Sequence, residues 1–420
     1  MIKLLHFSDA HIDITRFGRH DPETGLPLRV LDFLKALDVI IDTALKEKVD
    51  LVIFGGDAYR DRTPVPTFQR EWGKRMMRLS QAKISTLLVV GNHDLSPAAG
   101  RAHALQEYET LSIPFIRVIS QPELLGPKQL WGLPVQVIGL PWVNLSGLLT
   151  ALQSNTSDSV AADNLKNYLV KLIHDFLDQL SPELPSIFAG HISVEGAVYG
   201  NERSVMLGKD VVLPASVIRD SNLDYVALGH IHKAQDLNRG AHPPMIYPGS
   251  IERVDFGEVN EEKSFIIAQV EKGNTQYEWR KLPGRKFFDR KIELKHQDSI
   301  QKQLEAILPA KEEMREAIGR LTIIYPREWN TFIDEPALRR YAQDAFEFHL
   351  IRRPQIKVGA NLRNGETLMG YTHAQQLDFY WQNLGLSEKE IKELSPLASE
   401  IMAAVHSGIN PQIEKEENRT

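Results

Sequence analysis

No cysteine occurs anywhere in the chain. That excludes disulfide staples, thiolate zinc sites and cysteine nucleophiles together, and leaves any metal to His, Asp, Glu or Asn. No apolar run reaches the roughly 18 residues of a membrane-crossing helix. The apolar stretch Ile2–Phe7 meets Asp9 before it could become a signal-peptide core. These absences create the expectation of a cytoplasmic protein without membrane attachment. Strong charge of either sign is missing too. The formal net charge of −6 gives no global attraction for a polyanion, so nucleic-acid binding would require a local basic surface. What remains is an ordinary globular balance, 42% hydrophobic and 25% charged over 420 residues. That length is more than one average core fills, and it predicts a large catalytic domain with smaller modules.

Short apolar runs at Ile2–Phe7, Leu51–Phe54, Thr86–Val90, Val135–Leu140, Ile187–Ala189, Tyr225–Leu228, Met245–Tyr247 and Phe265–Val270 read as buried strands. Helical periodicities lie between several of them, Leu28–Lys46 and Leu165–Leu180 among them. The alternation predicts a layered α/β core over residues 1–282. Most of the strands run into polar clusters: Ser8-Asp9-Ala10-His11, Gly55-Gly56-Asp57, Gly91-Asn92-His93-Asp94, Gly190-His191 and Gly229-His230-Ile231-His232. Sites in open α/β sheets form at the carboxyl ends of strands, so these loops are expected to converge.

After Leu282 the texture changes. Lys286–Leu294 reads as a strand, Ser299–Ile318 as a helix, Leu321–Tyr325 as a strand and Glu335–Phe348 as a helix. The pattern predicts a smaller β-α-β domain over residues 283–360. Arg285, Lys286, Arg290, Lys291 and Lys295 at its start, with Arg352, Arg353 and Lys357 at its end, are either a basic surface or an ordinary solvated face. Residues 361–410 carry a helical segment, Leu386–Val405, with Leu386, Ile391, Leu394, Leu397 and Ile401 at helical spacing. Such a face needs an apolar partner, in its own domain or in another protein. Residues 411–420 form a polar tail.

Asp9 and His11 stand two apart, as do His230 and His232. In an extended chain such positions share a face, so each pair is expected to offer two ligands to one ion. Asp57 follows a glycine pair that lets the backbone turn sharply, and its two carboxylate oxygens suit it to bridge two cations. With Asn92 and His191 added, the expected ligand set is Asp9, His11, Asp57, Asn92, His191, His230 and His232. Two carboxylates leave two divalent ions net positive, a charge that suits a phosphate ester. Imidazole and carboxylate ligation accepts manganese, iron or zinc alike. His93 directly follows a ligand and is not placed to bind the same ions. Beside Asp94, which could orient its ring, it is expected to protonate a leaving alkoxide or stabilise transition-state charge. Five of the 14 histidines lie in these clusters, and the other nine, His6 among them, read as surface or packing residues.

The ordered series Asp9-x-His11, Gly56-Asp57, Gly91-Asn92-His93-Asp94, Gly190-His191 and Gly229-His230-x-His232 resembles the calcineurin-type metallophosphoesterase superfamily. That resemblance implies a two-metal phosphoester hydrolase on a four-layered α/β sandwich. Glu202-Arg203, the run from Asp224 to His232, Tyr247-Pro248-Gly249-Ser250 and Lys263-Ser264-Phe265 are similar to the SbcD-type DNA repair nucleases, relatives of the meiotic recombination eleven nuclease. This closer resemblance implies manganese-dependent cleavage of DNA, as an exonuclease on duplex ends and an endonuclease on single strands or hairpins, in a nucleoid-associated cytoplasmic protein. It also implies that residues 283–360 cap the nuclease domain and contribute to DNA contact. A homodimer is implied, with a helical interface near Thr67–Ser80 and Ala102–Leu111, and so is an ATPase partner of the SbcC type docked on the Leu386–Val405 helix. One position departs from the family pattern. Three residues after the bridging aspartate that family has His or Asp, and this chain has Arg60, followed by Asp61-Arg62. Either Asp61 takes that role in substrate handling, or Arg60 contacts phosphate directly.

Two other readings stay open on the residues alone. One is a phosphodiesterase or phosphatase for a small nucleotide or phosphoprotein, with the second domain as a lid. The other is a DNA-end-binding scaffold whose metals are structural.

Overall fold

A computed structural model describes residues 1–16, 19–95, 101–143, 158–200, 211–355 and 372–406. Glu202-Arg203, Lys357 and the tail 411–420 lie outside the described residues. In chain order the strands are β1 (Ile2–Phe7), β2 (Leu51–Phe54), β3 (Ser85–Val89), β4 (Ile116–Ile119), β5 (Glu123–Leu125), β6 (Gln136–Leu140), β7 (Ser186–His191), β8 (Ser193–Val194) and β9 (Val212–Leu213). They continue with β10 (Tyr225–Gly229), β11 (Gln235–Asp236), β12 (Met245–Tyr247), β13 (Ser264–Glu271) and β14 (Asn274–Lys281). Twelve of them make two six-stranded sheets, ordered β14-β13-β1-β2-β3-β4 and β11-β12-β10-β7-β6-β5. β1 to β4 run parallel, with Leu4 opposite Leu51 and Val52 opposite Thr86.

Side-chain alternation along the strands separates three cores. Leu5, Phe7, Val52 and Phe54 cluster with Val30, Leu37, Trp72 and Met76 of the helices Leu28–Glu47 and Pro66–Gln81. On the other face, Leu4, Leu51 and Ile53 meet Val137, Ile187, Tyr225 and Ala227 of the second sheet. That sheet's outer face, through Ile138, Phe188 and Val226, packs on Leu165, Leu169 and Ile173 of the helix Asp158–Leu177. The layers are therefore helix, sheet, sheet, helix, which is the four-layered α/β sandwich expected from the sequence. β4, β5, β14 and the two-residue strands β8, β9 and β11 do not show as apolar runs in the sequence. β14 alternates between half-buried and exposed residues because it is a sheet edge with a solvated face, and no apolar run marks it.

His6 ties the two sheets together, its Nδ1 lying 3.1 Å from the Tyr225 hydroxyl. Burial holds its imidazole down at about 3, against the pull of the Leu228 backbone. The ring is therefore neutral in the fold and protonates near pH 6.5 in the unfolded chain. Its contribution is whole above pH 6.5 and is lost progressively as pH falls toward 3. Between pH 7 and pH 5 the wild type should lose about 2 kcal/mol more stability than His6→Asn, read from urea midpoints. Equal losses would show that other groups carry the acid sensitivity.

The chain forms two compact units, one of Met1–Asp289 with Pro309–Arg320 and Ala342–His349, the other of Arg290–Leu308, Leu321–Tyr341 and the described residues from Leu350 onward. Two of the helices expected beyond Leu282 are shorter than the periodicity predicts. Ser299–Ile318 resolves into Ile300–Ile307 and Lys311–Met314, because Pro309 has no N–H to continue the ladder. Ile318 already begins a strand, Ile318–Pro326. The helix at Glu335 stops at Tyr341, and Glu347–Gln355 is a strand. Phe346 there buries against Phe287 and Ile318, a tertiary contact that outweighs helical periodicity. Beyond residue 371 the helices of the second unit are His373–Asn383, opened by a Thr372/Gln375 capping box, and Glu388–His406. Ile391 is buried, whereas Leu397 and Ile401 are exposed. Among the described residues no helix is long and apolar enough to cross a membrane.

Candidate metal centre

The carboxyl ends of β1, β2, β3, β7 and β10 supply the site. Beyond β1 and β2 the two chains stay bonded: the N–H of Asp9 donates to Gly56 O at 2.9 Å, that of Ala10 to Asp57 O at 2.9 Å and that of Ile12 to Ala58 O at 3.1 Å. Asp9, His11, Asp57 and His230 all have positive φ, at 51°, 41°, 62° and 96°. Such backbone is uncommon outside glycine and persists where the surroundings over-determine it. Asp9 and His11 are thus aimed by left-handed turns, which corrects the expectation that strand alternation presents them. Two glycines permit the closure. A Cβ on Gly91 would stand 2.2 Å from Asp57 Oδ1, and one on Gly229 would stand 2.1 Å from the Gly55 carbonyl.

Two groups of donors form, Asp9 with His11 and His232, and Asp9 with Asp57 and His191. His11 Nε2 lies 3.1 Å from His232 Nε2 and 3.8 Å from Asp57 Oδ2. His191 Nε2 lies 3.0 Å from Asn92 Oδ1 and 3.5 Å from Asp57 Oδ2. His230 Nδ1 is 3.0 Å from the same Asn92 oxygen. All seven side chains come together, and of the two pairs that spacing predicts Asp9 and His11 share a group. His230 faces Asn92 while His232 faces His11, so this pair is split between the two halves. Asp57 reaches a histidine of each half, and Asp9 belongs to both groups.

Hydrogen bonds settle which ring nitrogens face inward. His11 Nδ1 lies 3.2 Å from the Tyr59 carbonyl, His191 Nδ1 2.6 Å from the Gly55 carbonyl and His232 Nδ1 2.8 Å from Glu258 Oε1. Each partner can only accept, so each Nδ1 carries the proton and each Nε2 turns a lone pair inward. Lone pairs converging on lone pairs and carboxylates are a donor set for cations, and no thiolate is among them. Burial, then the neighbouring histidine charges, keeps His11 and His191 well below the usual imidazole range, in the neutral form that ligates. Burial also raises the carboxyl groups of Asp9 and Asp57, and for Asp57 the charges of Asp94 and Asp9 add to it. A divalent cation is the charge that would let both ionise.

His93 and Asp94 part company. The Asp94 carboxylate is buried and accepts the N–H groups of Asp57 at 2.9 Å, Ala58 at 3.0 Å and Gly91 at 2.9 Å. Burial lifts its carboxyl to about 6 despite those donors. His93 Nδ1 instead lies 2.8 Å from the Arg60 carbonyl. The expectation that Asp94 orients the His93 ring is therefore corrected: Asp94 holds the loop that carries Asp57, and Arg60 holds the ring. Burial and then the Arg60 charge bring His93 down to about 4. His93, Arg60, Asp61, Arg62, Thr63 and Asp13 line an open cleft of about 530 Å³. Asp61 is turned back on its own loop, accepting the Thr63 N–H at 3.0 Å and its hydroxyl at 3.1 Å.

Three further contributors escaped the sequence reading. Asp13 accepts the N–H groups of Arg60 and Asp61 and so anchors the cleft loop. Trp142 lays its ring 4.8 Å from His230. It follows β6, and the same strand-end rule that found the other loops would have pointed to it. Glu258 holds His232, and its other oxygen lies 2.7 Å from the buried Lys263 ammonium. Burial opposes its ionisation, but Lys263 and His232 outweigh that and hold the carboxyl at about 2. No spacing rule links residues 26 apart. Glu258→Gln is expected to weaken metal binding by about 10- to 100-fold, read by calorimetric titration with manganese. Unchanged affinity would mean that the backbone alone holds His232.

A helix-sheet-sheet-helix sandwich with this donor cluster at its strand ends defines a metal-dependent phosphoesterase. Residues 2–234 match the family described as calcineurin-like phosphoesterase, and the chain belongs to that family. Family and donor set together imply divalent metal ions as cofactors. Among the relatives, the uncharacterized metallophosphoesterase YhaO of Bacillus subtilis is 23% identical over 67% of this chain and 60% of its own length. The SbcD component of nuclease SbcCD from the same organism is 25% identical over 65% of this chain and 67% of its own length. The DNA double-strand break repair protein Mre11 of Archaeoglobus fulgidus is 23% identical over 85% of this chain and 76% of its own length. The match to YhaO thus spans less than two thirds of that relative.

Proposed function

We propose that the chain is a two-metal DNA nuclease subunit of double-strand break repair, cutting duplex ends as an exonuclease and single strands or hairpins as an endonuclease. The observation that carries this reading is the paired donor cluster with three histidine tautomers set to ligate. The relatives named SbcCD nuclease and Mre11 favour DNA as the substrate. Asp9, His11, Asp57 and His232 would hold one ion, and Asp57, Asn92, His191 and His230 the other, with Mn(2+) the proposed metal in both. When bound, such ions supply electrophilic activation of a phosphate and acidify water.

The remaining work belongs to the chain. His93, steadied at Nδ1 by the Arg60 carbonyl, has Nε2 left for the scissile phosphate. The negative charge of a bound phosphate opposes the Arg60 charge and raises the proton affinity of the ring, so the imidazolium can protonate the leaving oxygen. Arg60 and Arg62, beside His93 in the cleft, suit contact with the phosphates. Asp61, already engaged by Thr63, suits that role less. Arg285 is not available to DNA, because Asp32 takes its guanidinium in a fork at 2.6 and 2.8 Å.

The proposal includes residues 1–282 as nuclease domain, 283–360 as cap and 361–410 as the docking region for an SbcC-type ATPase, where Leu397 and Ile401 are exposed. It includes a homodimer through the helices Pro66–Gln81 and Gln106–Thr110, and a place at the nucleoid in the cytoplasm. Cleavage of end-labelled duplex and single-stranded DNA with manganese, absent in a chelator control, is the expected result. A folded, metal-loaded chain that hydrolyses a small phosphodiester but leaves DNA intact would overturn the reading.

A further inference from the structure

The first unit carries a second cleft at the opposite end of its sheet. It opens at the amino ends of β2, β3 and β4, measures about 460 Å³, and is lined by Lys48, Lys83, Phe115, Trp131, Leu133 and Asp50 among others. The Phe115 and Trp131 rings lie 5.7 Å apart, tilted at 31° to each other. Trp131 remains 38% exposed. Lys48 and Lys83 are both exposed, and neither ammonium has an ion-pair or hydrogen-bond partner among the described residues. Asp50 adds a carboxylate to the lining, where it accepts the Lys3 N–H at 2.8 Å, so the cleft sets two ammonium groups against one carboxylate.

The backbone around this cleft is as unusual as that of the metal centre. Lys48, Lys83, Phe115 and Trp131 have φ of 50°, 59°, 61° and 55°. For the two lysines this is ordinary, because they terminate the helices Leu28–Glu47 and Pro66–Gln81. Phe115 and Trp131 are bulky residues in a conformation that suits glycine. Trp131 stands one residue before Gly132, whose N–H donates to the Pro127 carbonyl at 2.8 Å. In such a turn the residue at Trp131 is usually glycine. Packing does not call for a tryptophan there when more than a third of it stays in solvent.

We propose that this cleft binds a nucleoside phosphate, with the base on the Trp131–Phe115 platform and the phosphates between Lys48 and Lys83. An exposed aromatic face accepts any planar base by stacking. Lysine ammonium groups hold phosphate as point charges and need no fixed fork geometry. The volume lies within the roughly 300–1,000 Å³ of small-ligand pockets. The ligand is not a substrate, because the donor cluster sits at the other ends of the same strands.

The test is calorimetric titration of the full chain with ADP in excess chelator, so that neither metal nor hydrolysis takes part. One equivalent is expected to bind at submillimolar affinity, with adenosine and pyrophosphate each at least tenfold weaker. Trp131→Ala and Lys83→Glu should each weaken binding at least tenfold with circular dichroism unchanged. Arg60→Ala, in the other cleft, should leave it unaltered. No binding by the folded chain overturns the proposal, as does binding that survives both cleft substitutions or depends on Arg60. Pyrophosphate binding as well as ADP would overturn the role of the aromatic platform. Because chelator is present throughout, the outcome is independent of whether the chain cleaves DNA.

Discussion

Substituting His93 by alanine is expected to lower phosphodiester cleavage by roughly 10²- to 10⁴-fold, the range that a positioned acid or base contributes, while metal content and stability stay at the wild-type level. His93 is half-buried at the cleft, and among the described residues its ring bonds to the Arg60 carbonyl alone. That carbonyl can turn to water when the ring is removed, so no buried group is left unpaired. The seven donors keep their places, because the N–H that steadies Asp57 Oδ1 comes from the backbone of residue 93 and survives the substitution. Cleavage assays beside metal analysis and urea unfolding check the prediction. A variant that loses metal or stability along with activity would remove the catalytic role assigned to the ring.

Asp94→Ala, one residue on, is expected to do the reverse. Its carboxylate closes three backbone N–H groups of the loops that carry Asp57 and Asn92, all buried. An unpaired buried donor costs about 1–3 kcal/mol, so a stability loss of roughly 3–5 kcal/mol is expected after partial relaxation. Metal affinity should fall with it, since the left-handed turn at Asp57 loses what holds it. Asp94→Asn is not a rescue, because its amide brings donors to a site that presents only donors. Urea midpoints and manganese titration are the measurements. A loss under about 1 kcal/mol would show that the turn stands without the carboxylate.

Adjacent residues with opposite expected phenotypes mark the boundary between local and tertiary information. Strand-end clustering places His93 and Asp94 at one site, and proximity in sequence suggests that one serves the other. The structure turns their side chains apart, one toward the Arg60 carbonyl and one into the crossing of two loops. The same division separates the two histidines of the final motif. Residues two apart share a face only in extended chain, and the positive φ of His230 breaks that rule.

What the sequence by itself determined is the part that local physics controls. Apolar runs and helical periodicity define the layers, and glycines with His, Asp and Asn at strand ends define the donors. The tertiary structure alone decided which donor faces which. Sheet order brings β7 beside β10 and β1 beside β2, and the packing of one sheet on the other through Leu4, Ile53, Tyr225 and Ala227 lets His11 meet His232 across 221 residues of chain. It alone found Glu258 and Asp13, which act through other groups, and ended the helix at Tyr341 in favour of buried Phe346. Those outcomes depend on contacts between segments far apart in sequence, and neither periodicity nor spacing carries that information.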